Sequence, residues 1–119
     1  MAQRLRQQVR IVVDGTIALG PGKAQLLEAI GRHGSISAAA REMGMSYTRA
    51  WSLVADMNRC FTTVLVHIAT GGKRGGGATI TPAGETVLAH YRAMEAAAAA
   101  ATADAFEALR PLLRDTLDT

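Results

Sequence analysis

The sequence predicts a mainly α-helical fold of the α+β class, in which two short helices, a glycine-rich hairpin and a long C-terminal helix follow one another. Apolar residues recur at helical spacing on both sides of Met43-Gly44-Met45, which predicts two helices joined by a tight turn. Five glycines occupy positions 71–77 between two short β-branched segments, and such a run favours a hairpin tip. An alanine-rich stretch after Pro82 favours a long helix. In this order the elements form a winged helix-turn-helix with a two-stranded wing.

The charge of the chain is unevenly distributed. Residues 1–81 contain ten lysines and arginines against four acidic residues, whereas residues 82–119 contain three against six. A basic front and an acidic tail are typical of a protein whose front meets phosphate, although a solvated surface produces the same counts. With 119 residues there is room for one domain, which we divide into a helix-turn-helix part at 1–81 and a long helix at 82–119.

The chain has the features of a cytoplasmic protein. Cys60 is the only cysteine, so no disulfide within the chain is possible, and we interpret it as a small core residue rather than a nucleophile. Residues 1–10 are polar and no apolar run follows them, so no signal peptide is indicated. No apolar stretch is long enough to span a bilayer, and we expect no membrane partner.

The first half of the chain predicts one strand and two helices. β-branched residues predict a strand over 8–13, and Asp14-Gly15 indicates a turn after it. Pro21-Gly22 is typical of the start of a helix. Ser35 or Ser37 is expected to cap the second helix, because a serine hydroxyl accepts hydrogen bonds from the free N–H groups of a first turn.

A third helix is expected after Ser46, which is placed to cap it. Its i, i+3, i+4, i+7 pattern predicts a buried stripe formed by Tyr47, Ala50, Trp51, Val54, Met57, Asn58 and Phe61. The opposite, solvent-facing side is then formed by Thr48, Arg49, Ser52, Asp56 and Arg59. The second and third helices together make the predicted helix-turn-helix.

The wing and the long helix complete the fold. Strands over 64–68 and 78–81 flank the glycine-rich tip, which carries Lys73 and Arg74. The helix that follows, with Pro82 at its first position, is expected to reach about Arg110 before Pro111 breaks it. Residues alternately four and three apart form a heptad seam, predicted to pair two subunits: Val87, Tyr91, Met94, Ala98, Ala101 and Ala105.

These features predict binding of double-stranded DNA. A bare helix-turn-helix is weak support, but a wing tip with two cations among glycines suits close contact with a phosphate backbone. The N-terminal end of a recognition helix enters the major groove, so we assign base readout to Thr48, Arg49 and Ser52. We assign contacts with the DNA backbone to Ser35, Ser37, Ser46, Tyr47, Lys73 and Arg74, with the Tyr47 ring packed inward and its hydroxyl on a phosphate.

The motifs also resemble known families. The run Gly34-Ser35-Ile36-Ser37-Ala38-Ala39-Ala40 is similar to the start of the helix-turn-helix in LysR-type regulators. Over roughly residues 8–108 the sequence resembles the N-terminal domain of the ModE family of molybdate-responsive repressors. The matching residues are Ser46-Tyr47, Ala50-Trp51, Asp56-Met57-Asn58, Thr70-Gly71-Gly72-Lys73, Gly75-Gly76-Gly77-Ala78, Thr81, Gly84 and Tyr91. The resemblance implies a homodimer, paired by its long helix, on palindromic operators of molybdenum-related genes.

The resemblance also bears on cofactors. Members of the ModE family usually carry molybdate in C-terminal domains of the molybdopterin-binding type, and no such domain follows before Thr119. We therefore expect no cofactor in this chain. A stand-alone family member, a truncated one, and a regulator whose sensor is a separate protein remain open.

An enzyme and a protein-binding scaffold are the two alternative classes of function. An enzyme is disfavoured because the sequence shows no P-loop, no paired carboxylates on one face, and no Cys/His spacing typical of catalysis. The three histidines, His33, His67 and His90, share no metal-ligand spacing, so no metal site is expected. A winged-helix scaffold that binds protein and not DNA is the alternative, and the basic wing and Arg49 argue against it.

Overall fold

The computed structural model describes residues 3–69 and 77–117. Within them the elements follow the order β1 (Ile11–Val13), β2 (Thr16–Leu19), α1 (Pro21–His33), α2 (Ile36–Met43), α3 (Tyr47–Cys60), β3 (Val66–Ala69), β4 (Gly77–Ile80) and α4 (Pro82–Leu109), with a 3₁₀ turn over Arg110–Leu112. The predicted α+β fold with a winged helix-turn-helix and a long C-terminal helix is confirmed. No helix of the described ranges combines the length and apolar character needed to cross a membrane.

The first hairpin, β1–β2, was predicted only in part, as one strand and a turn. Asp14 and Gly15 both have positive φ, 48° and 78°, as the two central residues of a tight hairpin turn require. The chain therefore folds straight back, and Val13 pairs with Thr16 in an antiparallel register. The strand expected over 8–13 begins only at Ile11, and its partner β2 was missed.

Helix α1 is the centre of the domain. Pro21 occupies its first turn, and Gly34 ends it in the left-handed conformation, with its N–H donating to Ile30 O at 2.8 Å. Its inner face packs against α2, α3, β4 and α4. The fully buried core side chains are mostly aliphatic, among them Leu19, Leu26, Leu27, Ile30, Val54, Met57, Leu65 and Tyr91.

The second hairpin, β3–β4, is the base of the wing. The strands are antiparallel, with Val66 opposite Ile80 and Ala69 opposite Gly77. The Ala78 N–H donates to Gly34 O at 2.9 Å, so the wing is fastened to the turn between α1 and α2. The cationic tip residues Lys73 and Arg74 lie outside the described residues.

Helix α4 has two different halves. Thr81 caps it by accepting from Gly84 N at 3.0 Å, and its N-terminal half packs on the domain. Beyond Glu95 the helix side chains are mostly exposed, and α4 ends at Leu109, close to the break predicted at Pro111. Because 28 residues span roughly 42 Å, α4 helps make the molecule elongated, with extents of 58 × 32 × 25 Å.

An extended N-terminal segment, residues 3–10, lies beside α4. The Tyr91 hydroxyl donates to Val9 O at 2.7 Å, and at the other end Gln3 Nε2 donates to Arg114 O at 2.8 Å. These contacts place the segment antiparallel to α4 along much of its length.

Candidate nucleic-acid interface

The start of α2 is held by one of the two serines proposed as caps. Ser35 Oγ accepts from Ala38 N at 2.9 Å, so Ser35 is the N-cap. Ser37 lies one residue inside the helix and is exposed, and its side chain has no hydrogen-bond partner among the described residues. Its hydroxyl is therefore accessible to an external group, whereas that of Ser35 is half-buried.

The turn between α2 and α3 fixes where the recognition helix begins. Gly44 adopts the left-handed conformation, with φ 67°, and Met45 N donates to Ala40 O at 3.0 Å. Ser46 then caps α3 by accepting from Arg49 N at 3.0 Å, as the sequence predicted. The exposed first turn of α3 therefore carries free backbone N–H groups and a cap hydroxyl that still has its proton to donate.

The outer face of α3 carries the residues best placed to read bases. Residues four, seven and eleven apart share one side of a helix, and Thr48, Ser52, Ala55 and Arg59 have this spacing and are all exposed. Two of the three predicted base readers, Thr48 and Ser52, therefore lie on one exposed face. Ala55 shares that face and was not singled out from the sequence, because a single alanine carries no polar signal.

Arg49 lies on the flank of α3 that faces the first hairpin. Together with Leu53 it lines a surface cavity that also includes Arg10 and Lys23. Its side chain is exposed and has no ion-pair partner among the described residues. The guanidinium is thus available to an anion, but at the edge of the outer face and not at its centre.

Asp56 and Lys23 form an ion pair that the sequence did not predict. Lys23 is only 7% exposed; its Nζ donates to Ile17 O and lies 3.4 Å from Asp56 Oδ2. Arg59 Nη2 is 3.0 Å from the other carboxylate oxygen of Asp56. The hydrogen bond from Arg59 and the charge of Lys23 lower the pKa of Asp56, which is partly buried and not the solvated side chain expected. The pair joins α3 to α1 and β2.

Asn58 fastens the opposite flank of α3 to the wing. Its Oδ1 accepts from Leu65 N at 2.8 Å and from Val66 N at 3.1 Å, and its Nδ2 donates to Val66 O at 3.0 Å. Asn58 was predicted as part of an apolar stripe. Instead it satisfies three backbone groups of the chain entering β3, which is why a polar side chain occupies this position.

Tyr47 does not pack inward as predicted. It is 52% exposed, and its ring meets Trp51 edge-on at a centroid distance of 6.2 Å. The half-buried Trp51 packs against the core that contains Val54. Tyr47 therefore lies on the solvent side of Trp51. The tyrosine ring and hydroxyl are both accessible on the wing side of α3.

A second charged cluster holds α1 and α2 together. Glu42 accepts from Arg32 and lies 2.8 Å from His33 Nε2. The hydrogen bond with His33 is the main cause of the lowered pKa of Glu42, with Arg32 adding to it. Arg32 is thus already paired. No three His, Cys, Asp or Glu side chains of the described ranges are grouped to hold a metal ion.

The predicted dimer seam is wrong at Tyr91 and partly covered at Val87. Tyr91 is fully buried in its own chain and donates to Val9 O, so it has no surface for a second subunit. Val87 is half-buried against the same core. The reason is that core packing and helix pairing produce the same spacing of apolar residues. The other seam positions are accessible: Met94, just before the projecting half, is exposed, and on that half Ala101 and Ala105 are exposed and Ala98 is partly exposed.

The fold and this exposed helix face define a helix-turn-helix protein, and comparison with known proteins agrees. Residues 22–85 match the family described as bacterial regulatory helix-turn-helix protein, lysR family. The chain therefore belongs to that family, whose members are regulators that bind DNA.

Similarity to individual proteins indicates which kind of helix-turn-helix regulator the chain resembles. The chain is 52% identical over 90 residues to the molybdenum-pterin-binding protein MopB of Rhodobacter capsulatus, which covers 75% of this chain and 33% of MopB. It is 38% identical over 94 residues to the molybdenum transport protein ModE of Azotobacter vinelandii, covering 79% and 35%, respectively. It is 42% identical over 71 residues to the DNA-binding transcriptional dual regulator ModE of Escherichia coli K12, covering 60% and 27%.

The chain spans about a third of the length of the curated relatives it matches. The resemblance to the ModE-type DNA-binding domain, first indicated by the motifs around α3 and the wing, is confirmed by these similarities.

Proposed function

We propose that this chain is a sequence-specific regulator, and not an enzyme, that inserts α3 into the major groove of an operator and works in the cytoplasm. The observation that carries the proposal is the exposed outer face of α3. Thr48 and Ser52 lie on it one turn apart, and Ser46 caps the end that leads into the groove. Their hydroxyls can donate to an acceptor or accept from a donor on a base edge, and the Ala55 methyl group can contact a thymine methyl group.

The remaining predicted contacts serve the phosphate backbone. Ser37 is exposed at the start of α2, and Tyr47 and Arg49 are exposed on the two flanks of α3; each carries a group that donates to phosphate oxygens. The half-buried Ser35 and the exposed Ser46 contribute through the helix ends that they cap. Lys73 and Arg74 add the wing contacts proposed from the sequence.

We further propose that two copies pair through the projecting half of α4 and bind a palindromic operator, most simply as a repressor. One recognition helix covers only a few base pairs, so a useful operator needs two. The small side chains of Ala98, Ala101 and Ala105 allow two helices to approach closely. Exposed apolar groups near the end of α4, Leu109 (48% exposed) and Leu113 (40%), add area that alanines alone do not supply.

The relatives' names support molybdenum-related genes as the regulated targets. We propose that sensing itself does not reside in these 119 residues, because they correspond to only about a third of those relatives. A separate sensor protein is one arrangement that fits. Calorimetric titration of the chain with molybdate should show no submicromolar binding, and tight stoichiometric binding would contradict this part of the proposal.

Base readout is tested by selecting bound sequences from random DNA and then measuring variants on the selected site. Thr48→Ala should weaken binding by about 1–3 kcal/mol on the selected site if it reads a base, and much less on random duplex. Thr102→Ala makes the same chemical change on the projecting half of α4 and should leave binding unchanged. Equal losses on both duplexes would make Thr48 a backbone contact, and no salt-dependent binding to any duplex would indicate a protein-binding scaffold.

Dimerisation is tested by charge placed on the seam. Ala98→Glu with Ala101→Glu should yield helical monomers that lose the selected site. Ala100→Glu with Ala103→Glu, on the opposite side of the same helix, is the matched control and should still pair. The dimer would be refuted if the wild-type protein sedimented as a monomer at micromolar concentration and still bound the operator with full affinity.

A further inference from the structure

The N-terminal segment presents an ordered row of cations. One end is fixed on α4, where Val9 O accepts from Tyr91, and the other is fixed just beyond α4, where Gln3 donates to Arg114 O. Between these points the burial alternates: Gln7 and Val9 are half-buried, whereas Arg6 and Arg10 are exposed. Because side chains of an extended backbone point alternately to opposite sides, Arg6 and Arg10 lie on the same outward side of the segment.

These two arginines are free, whereas several others are not. Four arginines of the described ranges have their guanidinium groups paired with carboxylates, namely Arg32, Arg59, Arg92 and Arg110. Arg6 and Arg10 have no ion pair with any residue that the structure describes. An exposed guanidinium with no carboxylate partner keeps its full charge and its five donors for an external anion.

The row continues onto the recognition helix. Arg10 and Arg49 line the same surface cavity of about 270 Å³, together with Gln8 and Lys23. The one carboxylate near this place on α3, that of Asp56, is already held by Lys23 and Arg59. The flank of α3 beside the first hairpin is therefore cationic, and it is the flank opposite Asn58 and the wing.

We propose that Arg6 and Arg10 form a phosphate-binding strip that grips the DNA backbone on the side of α3 opposite the wing. A helix in the major groove has a phosphate backbone on each side of it, and the base of the wing lies on the Asn58 side of α3. The strip supplies cations to the other side, next to Arg49. This inference rests on the proposed function, and it gives the N-terminal segment a role in affinity that is independent of DNA sequence.

Salt-titrated binding of single variants tests the strip. Arg6→Ala and Arg10→Ala should each reduce the slope of log K against log salt by about 0.9 per bound subunit, on the selected site and on random duplex alike. Arg114→Ala removes the same charge near the far end of the segment and should leave the slope unchanged. Arg10→Lys should restore most of the wild-type slope, because lysine keeps the charge and a purely structural role would not respond to it.

The possible outcomes are separable. A wild type with a steep salt slope that neither Arg6→Ala nor Arg10→Ala reduces would overturn the strip and leave the proposed function standing. An equal reduction by Arg114→Ala would also overturn it, because the effect would then be one of net charge. A wild type without salt-dependent DNA binding would overturn the proposed function and the strip together.

Discussion

Replacing Gly84 with alanine should destabilise the junction between the wing and α4. A Cβ atom at this position would lie 2.4 Å from Leu65 O and 2.7 Å from Ile80 Cγ1, where ordinary contacts begin near 3.4 Å. The nearer atom is backbone, and it already accepts from Thr81 N at 2.9 Å and from Thr81 Oγ1 at 3.2 Å. The clash therefore cannot be relieved by turning one side chain, and the first turn of α4 has to move away from Leu65.

The size of the effect follows from three contributions. Overpacking of this kind costs about 1–3 kcal/mol. Loss of one of the Thr81 hydrogen bonds adds about 0.5–1.5 kcal/mol. About 0.5–1 kcal/mol of this loss is offset because alanine has a higher helix propensity than glycine. The net loss in the free energy of unfolding is about 0.5–4 kcal/mol, which lowers the melting temperature by roughly 2–15 °C in a chain of this size.

Urea unfolding followed by circular dichroism measures this loss. Gly22→Ala is the matched control, because Gly22 also lies in the first turn of a helix behind a proline and its added Cβ meets nothing within 4 Å. That variant should be as stable as wild type or up to about 1 kcal/mol more stable. A Gly84→Ala protein with the wild-type urea midpoint would refute the reasoning about the junction.

Three further substitutions test the contacts around α3 and α4. Asn58→Ala should cost about 2–4 kcal/mol, because it leaves three backbone groups at the start of β3 without partners, and amide hydrogen exchange there should accelerate. Asp56→Asn should destabilise at pH 7 by leaving the buried Lys23 unpaired. Since the folded pKa of Asp56 is lowered, its ionisation stabilises the protein above about pH 4. The difference in urea midpoint between wild type and Asp56→Asn should therefore shrink as the pH falls below that value. Tyr91→Phe should lower stability by about 1–2 kcal/mol in thermal unfolding, because Val9 O loses its donor, and an unchanged melting temperature would contradict that hydrogen bond.

Much of the fold follows from local signals in the sequence. The cap at Ser46, the glycine after α2 and the proline after α4 each act within one turn of helix, and the structure places helix ends at all three. The outer face of α3 was also predictable, because Thr48 and Ser52 share the polar side of a clear helical period.

The errors come from contacts between distant parts of the chain. Tyr91 has the same heptad spacing whether it faces its own core or a partner, and only the position of Val9 decides between them. Asp56 was placed on the solvent-facing side of α3, and only the packing of α3 on α1 brings it beside the buried Lys23. Strand β2 was missed because its four residues carry no alternating pattern, although the Asp14-Gly15 pair was a sufficient signal for a hairpin.

The N-terminal segment also has a consequence for the order of folding. Gln3 and Arg114 meet across 111 positions of sequence, whereas the helix-turn-helix and both hairpins are made of contacts between near neighbours. Closing so long a loop is entropically costly, so the segment should dock on α4 after the rest has formed. Contacts that form late affect the rate of unfolding far more than the rate of folding. Weakening the Gln3 contact should therefore shorten the lifetime of the native state and leave the speed of refolding nearly unchanged.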